Sequence, residues 1–144
     1  MSEETQIMEK NCEFTGLVES LGSNGEGIVH MGETVFFAPF TAVGEKVKFR
    51  ALKVKNRIGY AKALEILTPA DERVRPRCPL FTKCGGCQLQ HLRYGAQLKL
   101  KSKTVKDALR KIAGIDFDVP LTVKSDFQYE YRNKLQIPVG VDKN

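Results

Sequence analysis

The sequence predicts a mainly β protein with one α-helix. A five-stranded OB-like barrel is expected over residues 1–68 and a linker over 69–77. Residues 78–144 should hold a cysteine-rich loop, a helix and the start of a further domain. Three observations predict this. Short apolar runs rich in β-branched and aromatic residues recur between turn signals from residue 12 to residue 67. One of these runs shifts its apolar phase midway, as a strand of a small, strongly curved barrel does. A stretch bounded by prolines, PADERVRP, then leads into cysteines spaced C-x5-C-x2-C and a run of helical period.

CEFTGLVES is the first strand, and Asn24-Gly25 in the following SNGEG supplies the positive φ angles of a tight hairpin turn. GIVHM is the second strand. Gly32-Glu33 turns into the third, TVFFAPF, where Pro39 marks a strand end because it cannot donate to a ladder. Ala42 to Glu45 lead into EKVKFRALKVKN, and Asn56-Arg57 turns into RIGYAKALEIL. In the fourth strand Val47 and Phe49 alternate with Lys46, Lys48 and Arg50, and the apolar phase then passes to Leu52 and Val54. Its outward face is expected to be Lys46, Lys48, Arg50, Lys53 and Lys55. The glycines of LGSNGEG are spaced G-x-x-G-x-G and precede a strand. They are therefore not the G-x-G-x-x-G of a dinucleotide site, which opens a helix.

GAQLKLKSKTVKDALRKIAG reads as a helix over 95–113, closed by Gly114. Leu98, Ser102, Val105, Leu109 and Ile112 form one stripe, expected to face the core. Lys99, Lys103, Lys106 and Arg110 form a neighbouring stripe that suits either a solvated face or phosphate contact. FQYEYRNKLQIPVGVDKN reads as a strand with Leu135, Ile137, Val139 and Val141 on one face, ending in turn residues. A lone strand leaves its ladder unpaired, so the chain is expected to stop within a domain.

The chain has 144 residues, 42% hydrophobic and 28% charged, with a net charge of +6. No apolar run approaches the ~20 residues of a membrane span, and MSEETQIMEKNCEF has no secretory pattern. A monomeric cytoplasmic protein with reduced thiols is expected. Residues 1–30 carry six acidic side chains against Lys10 alone, whereas residues 73–111 carry eleven Lys and Arg against Asp107. Such a one-sided basic block points to a polyanionic partner, and to nucleic acid before any other.

RPRCPLFTKCGGCQLQH holds Cys78, Cys84 and Cys87. Four uses compete for them. Zinc could take the three thiolates with His91. Cys84 and Cys87 could form a redox pair, although no βαβ context surrounds them. A disulfide runs against the reducing compartment. An iron–sulfur cluster wants four thiolates, and paired glycines let the backbone approach its sulfides. Cys12, at the start of the first strand, is more readily a small buried hydrophobe than a fourth ligand.

CPLFTKCGGCQLQHL, the helix beginning near YGAQLKLK, and YRNKLQIPVG together resemble the S-adenosylmethionine-dependent RNA (uracil-C5)-methyltransferases that make 5-methyluridine in 23S rRNA and tRNA. The barrel before them resembles the TRAM domain of part of that family. The resemblance implies that Cys78, Cys84 and Cys87 are three ligands of a [4Fe–4S] cluster, with the fourth cysteine beyond Asn144. It also implies that Arg132 and Lys134, in YRNK, open the family's α+β central domain, which holds RNA. The RNA is expected to be rRNA ahead of tRNA. The family's catalytic cysteine, general base and S-adenosylmethionine site have no counterpart in these residues, so the chain by itself is expected not to methylate. A stand-alone zinc-stabilised RNA-binding module is the competing expectation.

Overall fold

In the computed structural model residues 9–134, 136, 139 and 140 are described. Six strands precede one helix: β1 (Glu13–Leu17), β2 (Ser20–Leu21), β3 (Gly27–Met31), β4 (Thr34–Ala38), β5 (Lys46–Lys55) and β6 (Ile58–Thr68), then α1 (Tyr94–Ala108). The expected first strand is thus bent into two pieces. β1 pairs with β5, but the Glu19 N–H donates to Ile28 O at 3.0 Å, and β2 pairs with β3. The strand order β1-β5-β6-β4-β3-β2 therefore returns on itself and closes a barrel. Gly16 permits the bend, because a Cβ there would stand 2.4 Å from Val29 Cγ1. β4 and β6 run parallel and every other pairing is antiparallel.

Phe14, Val18, Val29, Phe36, Val47, Phe49 and Ala61 fill the barrel. The expected slip in β5 is present as register shifts against β6, the last lying between Ala51 and Lys53. The apolar phase passes through a different residue, however. Ala51 is fully buried and continues the inward row, while Leu52 is the extra, unpaired residue and stands 48% exposed.

The turns agree in place and differ in one detail. Asn56 and Arg57 both take positive φ (49° and 64°), the geometry of a two-residue hairpin turn. In the loop from Gly22 to Glu26 only Gly25 does so (φ 83°), because five residues rather than two span the gap between β2 and β3.

α1 continues through a π-helical turn, Leu109–Ala113, and ends at Gly114 (φ 68°), the expected stop. Its apolar stripe is not a core face as a whole. Leu98 is buried, but Val105 and Ile112 are 51% and 87% exposed, because no other helix or strand among the described residues covers them. The chain instead returns along the helix as an extended segment. There Lys106 pairs with Asp118 at 3.0 Å, the Thr122 N–H donates to Ser102 Oγ at 2.7 Å, and the Ser125 N–H donates to Tyr94 Oη at 2.8 Å. The strand expected after residue 127 is not formed at 127–134, since no neighbouring strand among the described residues offers it a ladder. Leu135, Ile137 and Val141 lie outside the described residues. Among the described residues no helix is long and apolar enough to cross a membrane.

Candidate nucleic-acid interface

The segment after the barrel is fastened to it by buried polar and aromatic contacts. Glu45, fully buried, accepts from the Ala42 N–H (2.8 Å), the Ala70 N–H (3.3 Å) and the Arg73 guanidinium (Nη2 to Oε2, 2.8 Å). Arg73 also donates to Phe40 O at 2.8 Å. Burial pushes the Glu45 carboxyl up, but the Arg73 and backbone hydrogen bonds outweigh it and hold the group below the ordinary carboxylate range. Residues 69–77, expected as a linker, are also tied to the far side of the cysteine loop. The Val74 N–H donates to His91 O and the Arg93 N–H to Glu72 O.

His91 sits at the centre of this junction. It is buried, and its Nε2 lies 3.0 Å from Thr41 O, so Nε2 carries the proton. Its ring packs near Phe81 and Phe40, at centroid distances of 5.7 and 6.4 Å. Leu89 covers Gly25 so closely that a Cβ there would lie 2.4 Å from Leu89 Cδ2. The zinc-ligand role expected of His91 would fall to Nδ1, which is buried without a hydrogen-bond partner among the described residues, because Nε2 is taken up by Thr41 O, a partner that sequence spacing could not show. Burial lowers the His91 pKa. A histidine held neutral stabilises the fold fully above its ordinary pKa of ~6.5 and loses that contribution as pH falls below it. The melting temperature is accordingly expected to decline from pH 7 to pH 5. His91→Gln, which keeps an N–H donor and cannot titrate, should flatten that slope.

The cysteine loop lies on the outside of this junction. Cys78 is half-buried, and its N–H donates to Gln90 Oε1 at 3.1 Å. Cys84 and Cys87 are exposed, and the Cys84 N–H closes a turn onto Leu80 O at 3.0 Å. Gly85 takes φ 76°, and a Cβ on Gly86 would press to 3.4 Å from Cys84 Sγ. The donor chemistry fits a thiophilic metal centre, with three accessible thiols on one loop and room beside Cys84 Sγ. The arrangement is open rather than closed: no three His, Cys, Asp or Glu side chains among the described residues are gathered to hold an ion. Cys12 packs against the barrel core, as a small hydrophobe does.

The basic residues form two separate surfaces. On β5, Lys48 and Arg50 point outward as expected, but both pair with Glu13, at 2.8 and 2.6 Å. Lys48 and then Arg50 hold the Glu13 carboxyl down to about 2. Lys46, Lys53 and Lys55 are exposed and make no ion pair among the described residues. On α1, Lys103 pairs with Asp107 and Lys106 with Asp118, whereas Lys99 and Arg110 are exposed and unpaired among the described residues. Lys103 faces Ser20, Leu21 and Ile28 across a groove, while β5 is bonded to β1 and β6. Arg132 and Lys134 are exposed at the far end, with Arg132 6.0 Å from the Tyr131 ring centre. The sequence reading missed Phe37 and Tyr60, adjacent on the outer face of β4 and β6 with ring centres 6.0 Å apart. Their signal was an aromatic residue at an outward position of each strand.

No protein-family model matches the chain. It is 40% identical over 136 residues to a Clostridium tetani protein described as an uncharacterized RNA methyltransferase, which covers 94% of this chain and 30% of that one. A Listeria monocytogenes protein of the same description is 36% identical over 137 residues, and one from Halalkalibacterium halodurans 37% over 141 residues. Among solved structures, a Pyrococcus abyssi tRNA (uracil-54, C5)-methyltransferase in complex with S-adenosyl-L-homocysteine matches with a TM-score of 0.48 and 30% identity. That match covers 71% of this chain and 22% of that one. A conserved protein of Methanococcus maripaludis matches with a TM-score of 0.38 and 23% identity, covering 45% of this chain and all of that one. Along 94% or more of its own length the chain is related to proteins named RNA methyltransferases, and it spans about 30% of theirs.

Proposed function

We propose that this chain is the RNA-binding, [4Fe–4S]-bearing N-terminal part of an S-adenosylmethionine-dependent RNA uracil-C5 methyltransferase, acting on rRNA or, second to it, tRNA. The observation that carries the reading is sequence similarity to RNA methyltransferases along almost the whole of this chain and over about 30% of theirs. The closed barrel, in the role of a TRAM domain, and the separate basic surfaces of β5 and α1 support it. Exposed lysines that make no ion pair among the described residues suit phosphate contact, which positions RNA without reading its sequence. In the same reading Cys78, Cys84 and Cys87 supply three thiolates to the cluster, and a cysteine downstream of Asn144 supplies the fourth. A bound cluster would serve structure, holding the loop closed beside the barrel. Methyl transfer belongs to the longer protein, whose cysteine nucleophile and S-adenosylmethionine site would lie outside these residues.

Purification under nitrogen tests the metal. Brown protein containing iron and acid-labile sulfide is expected when the downstream cysteine is included, with iron lost in Cys84→Ser. Colourless protein carrying one zinc, unaffected by that change, would refute it. Filter binding tests the RNA reading. Affinity for rRNA fragments should fall at least tenfold between 50 and 200 mM salt, since several lysines displace counterions. Binding that ignores salt would defeat it.

A further inference from the structure

The four residues after the last loop cysteine, Gln88, Leu89, Gln90 and His91, send their side chains alternately to two sides. Leu89 and His91 go to the barrel. Leu89 lies against Gly25, and His91 is buried with Nε2 3.0 Å from Thr41 O. Gln88 and Gln90 go to the cysteine loop. Gln88 Nε2 donates to Gly85 O at 3.2 Å, and Gln90 Oε1 accepts from the Cys78 N–H at 3.1 Å. The segment is therefore a two-faced strap, with the barrel on one side and the cysteine loop on the other.

The backbone of the strap is fixed independently. The His91 carbonyl accepts from the Val74 N–H at 2.9 Å, and Gln97 Nε2, on α1, donates to Leu89 O at 3.1 Å and to Leu92 O at 2.9 Å. Gln90 thus projects from backbone that is held on both sides of it. Cys78 is held in turn. Its N–H is taken by Gln90, and its carbonyl accepts from the Phe81 N–H at 3.1 Å, which begins the turns leading to Cys84. A backbone N–H can only donate, so the amide atom facing it has to be Oε1, and the orientation of Gln90 follows. Cys84 and Cys87 share a short C-G-G-C turn, but Cys78 stands a full C-x5-C interval away. Chain proximity alone does not bring it to the other two.

We propose that Gln90 is a positioning residue for metal binding: it holds Cys78 where that thiol can join Cys84 and Cys87 on one metal centre, and the strap ties this position to the barrel. The proposal rests on the metal-binding reading above and deepens it, since it names a group outside the thiol set on which the site depends. Side chains one layer out from the ligands orient them in this way, and removing one typically lowers metal affinity about 10- to 100-fold.

Anaerobic titration of the reduced 144-residue chain with Co(II) tests it, because thiolate-to-cobalt charge-transfer absorption grows with the number of thiolates bound. Co(II) can complete its coordination with water, so the three loop thiolates suffice. The parent is expected to show the intensity of three thiolates and Gln90→Leu that of two, with affinity weakened about 10- to 100-fold. Gln90→Asn keeps the amide on a shorter side chain and should behave like the leucine variant. Cys78→Ser should lose as much, and adding Gln90→Leu to it should cost nothing further, because the two residues act as one unit. Gln90 lies outside the barrel core, so without metal both glutamine variants should melt like the parent. Should one melt lower, the Cys78→Ser background still decides, since a general loss of fold would weaken binding there equally. If the parent gives no thiolate band, the metal reading and this assignment fail together. If the parent gives it and both glutamine variants match its intensity and affinity, Gln90 positions nothing and the metal reading stands. An affinity loss that persists undiminished beside Cys78→Ser would also overturn the assignment.

Discussion

Replacing Glu45 by alanine is expected to destabilise the protein by about 3–5 kcal/mol, the usual cost of removing one partner from a buried ion pair. The Glu45 side chain is inaccessible to solvent and Arg73 is 22% exposed, so the pair is not a surface bridge worth a fraction of that. The carboxylate satisfies three donors at once: the Arg73 guanidinium and the N–H groups of Ala42 and Ala70. Alanine would strand all three near the base of the cysteine loop. Arg73→Met should cost a comparable amount, because it leaves the fully buried Glu45 carboxylate with two backbone donors but no cation. The double replacement by Met at 45 and Leu at 73 should recover part of the loss, since well-packed apolar groups can substitute for a buried pair. Urea denaturation of the three variants checks this, and a loss below about 1 kcal/mol for the alanine variant would show that the junction is not held this way. The pH dependence has a definite sign. A glutamate held below its ordinary range stabilises the fold above that range and stops doing so as pH falls through about 4.5 and lower, whereas His91 begins to destabilise already below ~6.5. Acid unfolding should therefore proceed in two overlapping parts, the histidine part first.

Phe36→Ala is the second large loss, again about 3–5 kcal/mol, the cost of removing a fully buried phenyl ring. Phe36 has no solvent exposure, and its ring centre stands 4.6 Å from that of Phe14. It also lies flush against the backbone of β6. A Cβ built on Gly59 would fall 2.3 Å from Phe36 Cε1 and 2.4 Å from Cδ1, so Gly59→Ala forces the ring to move and should be destabilising in its own right. The two changes should not add. Once the ring is gone, the new methyl group enters space the ring left, and the double variant should be more stable than the sum of the two losses predicts. Additive losses, measured by denaturant titration of all four proteins, would mean that the close approach of Phe36 to Gly59 does not exist in solution.

Much of the barrel was legible in the sequence because its cues are local. Asn56-Arg57 marks a two-residue turn, Pro39 follows the end of β4, and Gly114 ends the helix, each through backbone chemistry within a few residues. Even the bulge in β5 was visible, since a phase slip is a property of neighbouring residues. Its centre was misplaced because Ala51 is too small to signal burial in a hydrophobicity pattern, while Leu52 looks like a core residue and is the extruded one. The stripe on α1 was over-read for a related reason. Periodicity shows which residues share a face but not whether another element arrives to cover it, and Val105 and Ile112 remain exposed.

The candidate site divides in the same way. The three cysteines, the lysine stripe and the β5 cations were identifiable by residue type and spacing. Their pairings were not: Glu13 pairs with both Lys48 and Arg50, offsetting one of their two charges, only because β1 lies beside β5, 37 residues away from Arg50 in sequence. The same holds for His91, whose spacing from Cys87 suits zinc and whose partner turned out to be the carbonyl of Thr41. Register across parallel β4 and β6 likewise brought Phe37 beside Tyr60. By itself the sequence determined the class of fold, the order of its elements, and the thiol and cation inventory, because composition, turn chemistry and period are written within short windows. The tertiary structure alone decided which charges cancel, which histidine is sealed inside and which aromatic rings share an open face. Those outcomes depend on contacts between residues far apart in the chain, and such contacts exist only once the barrel closes.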